Sequence, residues 1–194
     1  MISRRSLANV IMLMCLTIGT WHLGSASWIY SKAYAASFLI NEAWQATLTN
    51  NAINKPWSWA DTWPVAELSI PSIELNEIIL SGDSGSSLAF GPGLSQAGAA
   101  LHEDGTKLIS GHRDTHFSRL QHIAVDDDIF IKTASVDKKY KVIDIKIVDS
   151  RTETIDPAEA DYDLVLATCY PFNSVSVGGP QRFIVRAIEQ QVKY

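Results

Sequence analysis

The chain has 194 residues, 46% hydrophobic and 19% charged, with a formal net charge of -5 at pH 7. That length and composition suit one folded domain of ordinary size beside an N-terminal targeting segment. The acidic balance argues against a nucleic-acid partner, and no repeat, low-complexity tract or block of like charge stands out.

Arg4 and Arg5 precede an uncharged run over residues 6–31. Its core, 7–30, is long enough to cross a bilayer as one helix, although Trp21, His22 and Ser25 make it less apolar than an ideal span. Two arginines before the run and Lys32 after it place the N-terminus in the cytoplasm and the main chain outside. Residues 1–35 are therefore expected to be a cytoplasmic N-terminus and transmembrane anchor. The competing reading is a signal peptide cleaved at Ala33-Tyr34-Ala35. Both readings export the domain.

Residues 36–65 are expected to be a helical and Trp-rich linker. Phe38, Leu39, Ile40, Ala43, Trp44 and Leu48 have helical spacing, which can continue the anchor helix. Asn50, Asn51, Asn54 and Pro56 end it. Trp57, Trp59 and Trp63 follow, read as rings that staple an extended segment to the domain. From Ala66 the pattern is β: Leu68, Ile70, Ile73, Leu75 and the run 78–80 are divided by Pro71 and Asn76. Further strands are expected at 107–110, 129–131, 140–148, 164–169 and 182–188. Residues 117–123 read as a helical turn, and Asp126, Asp127 and Asp128 as a solvated turn, because calcium-loop spacing is missing. At least six strands with little helix predict a mainly β fold over 66–194, closed or nearly closed as a barrel.

Cys169 ends an apolar strand that Pro171 stops. The only other cysteine, Cys15, lies in the N-terminal run, so Cys169 has no disulfide partner in its own domain. An unpaired cysteine in an exported domain suggests intermolecular pairing or a working thiol. His112 follows Gly111 just beyond the 107–110 strand, where loops on a rigid scaffold carry chemistry. Cysteine and loop histidine together suggest a nucleophile with its acid/base partner. His112, Arg113 and Arg182 are candidates for the positive charge that favours a thiolate. Arg182 opens the last strand after a Gly-Gly-Pro loop and reads as an oxyanion or substrate clamp. Arg186 shares its face but lies four residues further in, and reads as structural. A metal site of His112, His116 and Cys169 is an alternative, although the H-E-x-x-H pattern is missing. The other role for His116 is packing or a loop hydrogen bond.

The blocks Val165-Leu166-Ala167-Thr168-Cys169, Gly111-His112-Arg113-Asp114 and Arg182-Phe183-Ile184-Val185-Arg186-Ala187 resemble the signature blocks of sortases, in the family's order. Val165 stands where the family usually has threonine. The Trp-rich lead-in is similar to class GN sortases of Gram-negative bacteria, and Cys-Tyr-Pro-Phe is shared with class D. The resemblance implies an eight-stranded β-barrel and a cysteine transpeptidase on the outer face of the cell inner membrane. It implies Cys169 as nucleophile, His112 as acid and Arg182 as clamp. The partners would be a protein with a C-terminal LPxTG-like sorting signal, an amine acceptor and the membrane, with no cofactor or metal. Thr168 receives no catalytic role, because its side chain alternates away from that of Cys169. A catalytically inactive barrel serving as an exported binding module is the rival. An L,D-transpeptidase fits less well, since its S-H-G-C-type block is missing.

Overall fold

The computed structural model describes residues 4–154, 161–174 and 178–190, apart from the side chains of 4–8, 10 and 29. The chain divides into two compact units, Met1–Phe38 and Leu39–Tyr194.

Helix α1 runs over Arg4–Asn50. It contains no proline, and the asparagines end it as expected: Asn51 turns into the left-handed region at φ 51°, and the Asn50 side chain accepts from the Ala52 amide at 3.0 Å. The expected bilayer span needs correction. Part of 7–30 has side chains outside the described set, and among the described residues no helix is long and apolar enough to cross a membrane. The apolar side chains from Ile11 to Ile18 are followed by Trp21, His22, Gly24, Ser25 and Ser27, which dilute the run. In the second unit the helix buries Ile40, Ala43 and Trp44.

The Trp-rich lead-in is held to the second unit by its rings and polar groups. Trp57 meets Phe90 edge-on at 5.4 Å. Lys55 donates to the Ala60 carbonyl at 2.8 Å and lies 6.0 Å from the Trp63 ring. Trp59 is exposed.

Among the described residues eight strands follow: β1 (Pro64–Ile70), β2 (Leu75–Ser81), β3 (Gly93–Leu94), β4 (Lys107–Ser110), β5 (Asp128–Lys132), β6 (Asp137–Asp149), β7 (Leu164–Cys169) and β8 (Gln181–Gln190). They close into a barrel in the order β1-β2-β3-β4-β7-β8-β6-β5. The mainly β, closed-barrel expectation therefore holds. A one-turn helix, α2 (Gly85–Leu88), follows β2 and is capped by the Ser84 side chain. A 3-10 turn at Ser118–His122 matches the expected helical turn. Strand β3 was not expected. It has only two residues, and Gly93 is required there because a Cβ would overlap the Gly82 carbonyl.

Alternation drives closure. In β1 every second residue is buried, so Ala66, Leu68 and Ile70 face the core. Strand β7 buries three consecutive residues because both of its faces are covered. Leu164 and Leu166 join the barrel core, and Val165 packs with Val148 and Ile184 in a second apolar cluster. Asp128 ends the acidic turn in ion pairs with Lys139 at 2.9 Å and Lys141 at 2.6 Å.

Candidate active site

Strand β7 lies between β4 and β8, and this neighbourhood assembles the site. β7 and β8 are antiparallel, with Cys169 directly opposite Arg182 and Val165 opposite Arg186. The 11 residues between the strands return the chain beside itself, so the end of β7 meets the start of β8. On the other flank β4 runs parallel to β7, with Ser110 opposite Ala167. Gly111 continues this contact by donating its amide to the Ala167 carbonyl at 3.1 Å. The Thr168 hydroxyl donates back to the Gly111 carbonyl at 2.7 Å. His112 is the next residue along. The chain thus brings a histidine loop and an arginine strand to the two sides of Cys169, at one end of the barrel. Strand neighbours lie about 4.8 Å apart, which is within side-chain reach.

Gly111 also permits a close approach. A Cβ there would lie 2.7 Å from Cδ2 of Phe117, whose ring is fully buried. The loop closes where the Phe117 amide donates to the His112 carbonyl at 3.0 Å. His112 is exposed, and Cys169 and Arg182 are half-buried. Cys169 is a free thiol. Nη1 of Arg182 donates to the carbonyls of Gly179 at 2.6 Å and Gln181 at 2.9 Å. These bonds fix the guanidinium plane, and a planar fork of five donors retains others for a ligand.

The remaining basic residues divide into different tasks. Arg186 sits 3.3 Å from Asp144 and 4.8 Å over the Tyr162 ring, which is a structural setting. Arg113, a candidate for favouring the thiolate, is only 6% exposed and is turned toward carbonyls: Nη1 donates to Pro171 at 2.9 Å and Nη2 to Ser174 at 3.0 Å. His116 meets Glu77 of β2 at 2.9 Å, the loop hydrogen bond considered from the sequence. That pairing removes the metal alternative, for among the described residues no three His, Cys, Asp or Glu side chains gather as a ligand set. Around the strand ends Tyr170, Phe172 and Phe183 form an aromatic group, with Tyr170 stacked on Phe183 at 6.5 Å and Phe172 edge-on to Phe183 at 5.1 Å. The Tyr170–Pro171 peptide is cis.

A thiol and a guanidinium on paired strands, with an imidazole on the adjoining loop, are the groups that can form a covalent acyl intermediate, move one proton and hold an anionic oxygen. Sequence reasoning missed two supports of this arrangement. Thr168 bonds the histidine loop, and Arg113 spans two loops. Only their adjacency to the histidine and cysteine blocks could have pointed to them.

The family model of the sortase domain matches residues 68–190. The chain is 32% identical over 119 residues to Sortase D of Bacillus subtilis, and the match covers 61% of this chain and 60% of that protein's length. Among solved structures, a Clostridium perfringens Sortase D5 transpeptidase has a TM-score of 0.65 at 19% identity, covering 81% of this chain and 99% of that one. Sortase A from Corynebacterium diphtheriae has a TM-score of 0.60 at 22% identity, covering 91% and 97%. At those identities the structures speak to the barrel, and the match over 68–190 speaks to descent: the chain belongs to the sortase family.

Proposed function

We propose that this chain is a cysteine transpeptidase that cleaves an LPxTG-like C-terminal sorting signal and transfers the protein to an amine acceptor. The observation that carries the reading is the register of three neighbouring strands, which sets Cys169 between the His112 loop and Arg182. Cys169 sulfur attacks the threonine carbonyl carbon and forms a C–S bond. Arg182 holds the oxyanion. The C–N bond then breaks, and His112 gives its proton to the departing amine. The acceptor amine attacks the thioacyl carbon and passes a proton back to His112. The C–S bond breaks, and the Cys169 thiolate is restored.

The likeness to Sortase D and the Cys-Tyr-Pro-Phe run support class D-like features, and the Trp-rich lead-in supports class GN. We place residues 66–194 as the catalytic barrel, 36–65 as its lead-in and 1–35 as a targeting segment, with the catalytic unit outside the cytoplasm at the cell inner membrane. The exposed apolar side chains of Ile11, Met12, Leu13 and Met14 support attachment to that membrane.

The test is cleavage of an LPxTG-type peptide and its transfer to a small amine. Cys169→Ala should abolish both, and Cys15→Ala should leave both unchanged. Thiol alkylation should inactivate the enzyme and a chelator should not. A folded wild-type protein that binds such a peptide without cleaving it would establish the binding-module reading instead.

A further inference from the structure

Arg113 is a charged side chain buried at the junction of two loops that the chain keeps far apart in sequence. One loop follows β4 and carries His112, and the other follows β7, just past Cys169. The guanidinium reaches from the first to the second. Nη1 donates to the Pro171 carbonyl at 2.9 Å and Nη2 to the Ser174 carbonyl at 3.0 Å. On its own loop Nε donates to Asp114 Oδ1 at 3.1 Å. The Ser174 amide donates to the Pro171 carbonyl at 3.3 Å, so both acceptors belong to one turn.

Burying a guanidinium costs several kcal/mol unless its donors are matched. Here the match consists of fixed acceptors on the second loop and a carboxylate on the first. Arg113 adjoins His112, and Pro171 lies two residues past Cys169. A planar fork with rigid donors therefore sets the separation of the imidazole from the sulfur. Misplacement of reacting groups by about 1 Å can cost about 10²-fold in rate.

We infer that Arg113 is a positioning residue for the proposed reaction, holding the His112 loop in register with the Cys169 loop. This rests on the reading of Cys169 and His112 given above. In the full chain, Arg113→Gln and Arg113→Lys should lower kcat for peptide cleavage by about 30- to 100-fold and change KM by less than about 3-fold. Lysine should recover only a few-fold over glutamine, because a single ammonium cannot span acceptors on both loops. A second readout needs no turnover: the pH profile of Cys169 alkylation by iodoacetamide. In both variants it should move toward the profile of His112→Ala, since a displaced loop uncouples thiol from imidazole.

Melting curves would set a temperature at which every protein is folded. A kcat within about 3-fold of wild type there, or a wild-type alkylation profile in either variant, would overturn the inference. If Arg113→Gln does not fold, Arg113→Lys carries both measurements. If wild type fails to cleave, or Cys169→Ala cleaves as well as wild type, the functional reading falls. The alkylation profile still decides whether Arg113 couples the two loops.

Discussion

Two arginines share one face of β8, and the register separates them. Arg182 is the ladder partner of Cys169, and Arg186 is the partner of Val165. Four residues of strand put them about 13 Å apart. A charge-assisted hydrogen bond to a developing oxyanion needs heavy atoms at about 2.7–2.9 Å, so only Arg182 is placed to make one. Arg182→Ala should lower kcat by about 10²–10³, equivalent to about 2.7–4 kcal/mol of transition-state stabilisation. Arg182→Lys should recover part of that loss, because charge is kept and the fork is lost. Arg186→Ala removes the Asp144 ion pair and the contact over Tyr162. It should cost about 1–2 kcal/mol of stability and leave kcat within about 2-fold. The assay is steady-state peptide cleavage beside urea unfolding, at a temperature where all variants are folded. A larger kcat loss for Arg186→Ala than for Arg182→Ala would refute the register argument.

Gly111→Ala drives a Cβ to 2.7 Å from the buried Phe117 ring, so the loop must move. A stability loss of about 1–3 kcal/mol and reduced cleavage are expected, with Phe117→Leu in the same chain restoring part of both. Unchanged urea unfolding would refute it. Asp128 is held below its ordinary carboxylate pKa by hydrogen bonds from Lys141 and then Lys139. A carboxylate with a depressed folded pKa adds stability that is present above the unfolded value and lost as pH falls through the folded one. Asp128→Asn should therefore flatten the acid side of the stability–pH curve below the ordinary value of 3.8, and an identical acid limb in both proteins would contradict it.

Different parts of this architecture have different sequence signals. The β7–β8 pair is legible because an apolar run ends at a Tyr-Pro and a second begins after Gly-Gly-Pro. A short connection makes the two antiparallel, and that alone aligns Cys169 with Arg182. The β4–β7 pair is not legible. It is parallel, its strands are separated by two others in sequence, and no local pattern records which strand a parallel partner will choose. His112 could be singled out by its loop, yet its place beside Cys169 depends on that pairing. Strand β3 is too short to have a period. The N-terminal run shows the opposite failure. Freedom from charge reads as a span, while hydropathy also counts the tryptophan, histidine, glycine and serine residues that interrupt it.

Thr168 shows how the same alternation that removes a residue from the chemistry can give it a role in support. Neighbouring strand residues face opposite ways, so a half-exposed Cys169 requires its predecessor to turn inward. Thr168 is 3% exposed, and a buried hydroxyl must find an acceptor. The acceptor it finds is the Gly111 carbonyl, one residue before His112. This contact ties the histidine loop to β7 near the strand end, and Arg113 ties the same loop to Pro171 and Ser174 beyond it. Two anchors on opposite sides of Cys169 limit rotation of the loop as well as its translation. One anchor alone would leave rotation about that point free, and an imidazole on an exposed loop would sample many separations from the sulfur. In the proposed reaction the buried polar contacts behind the site therefore matter to the pairing of histidine and cysteine as much as the exposed residues that form it.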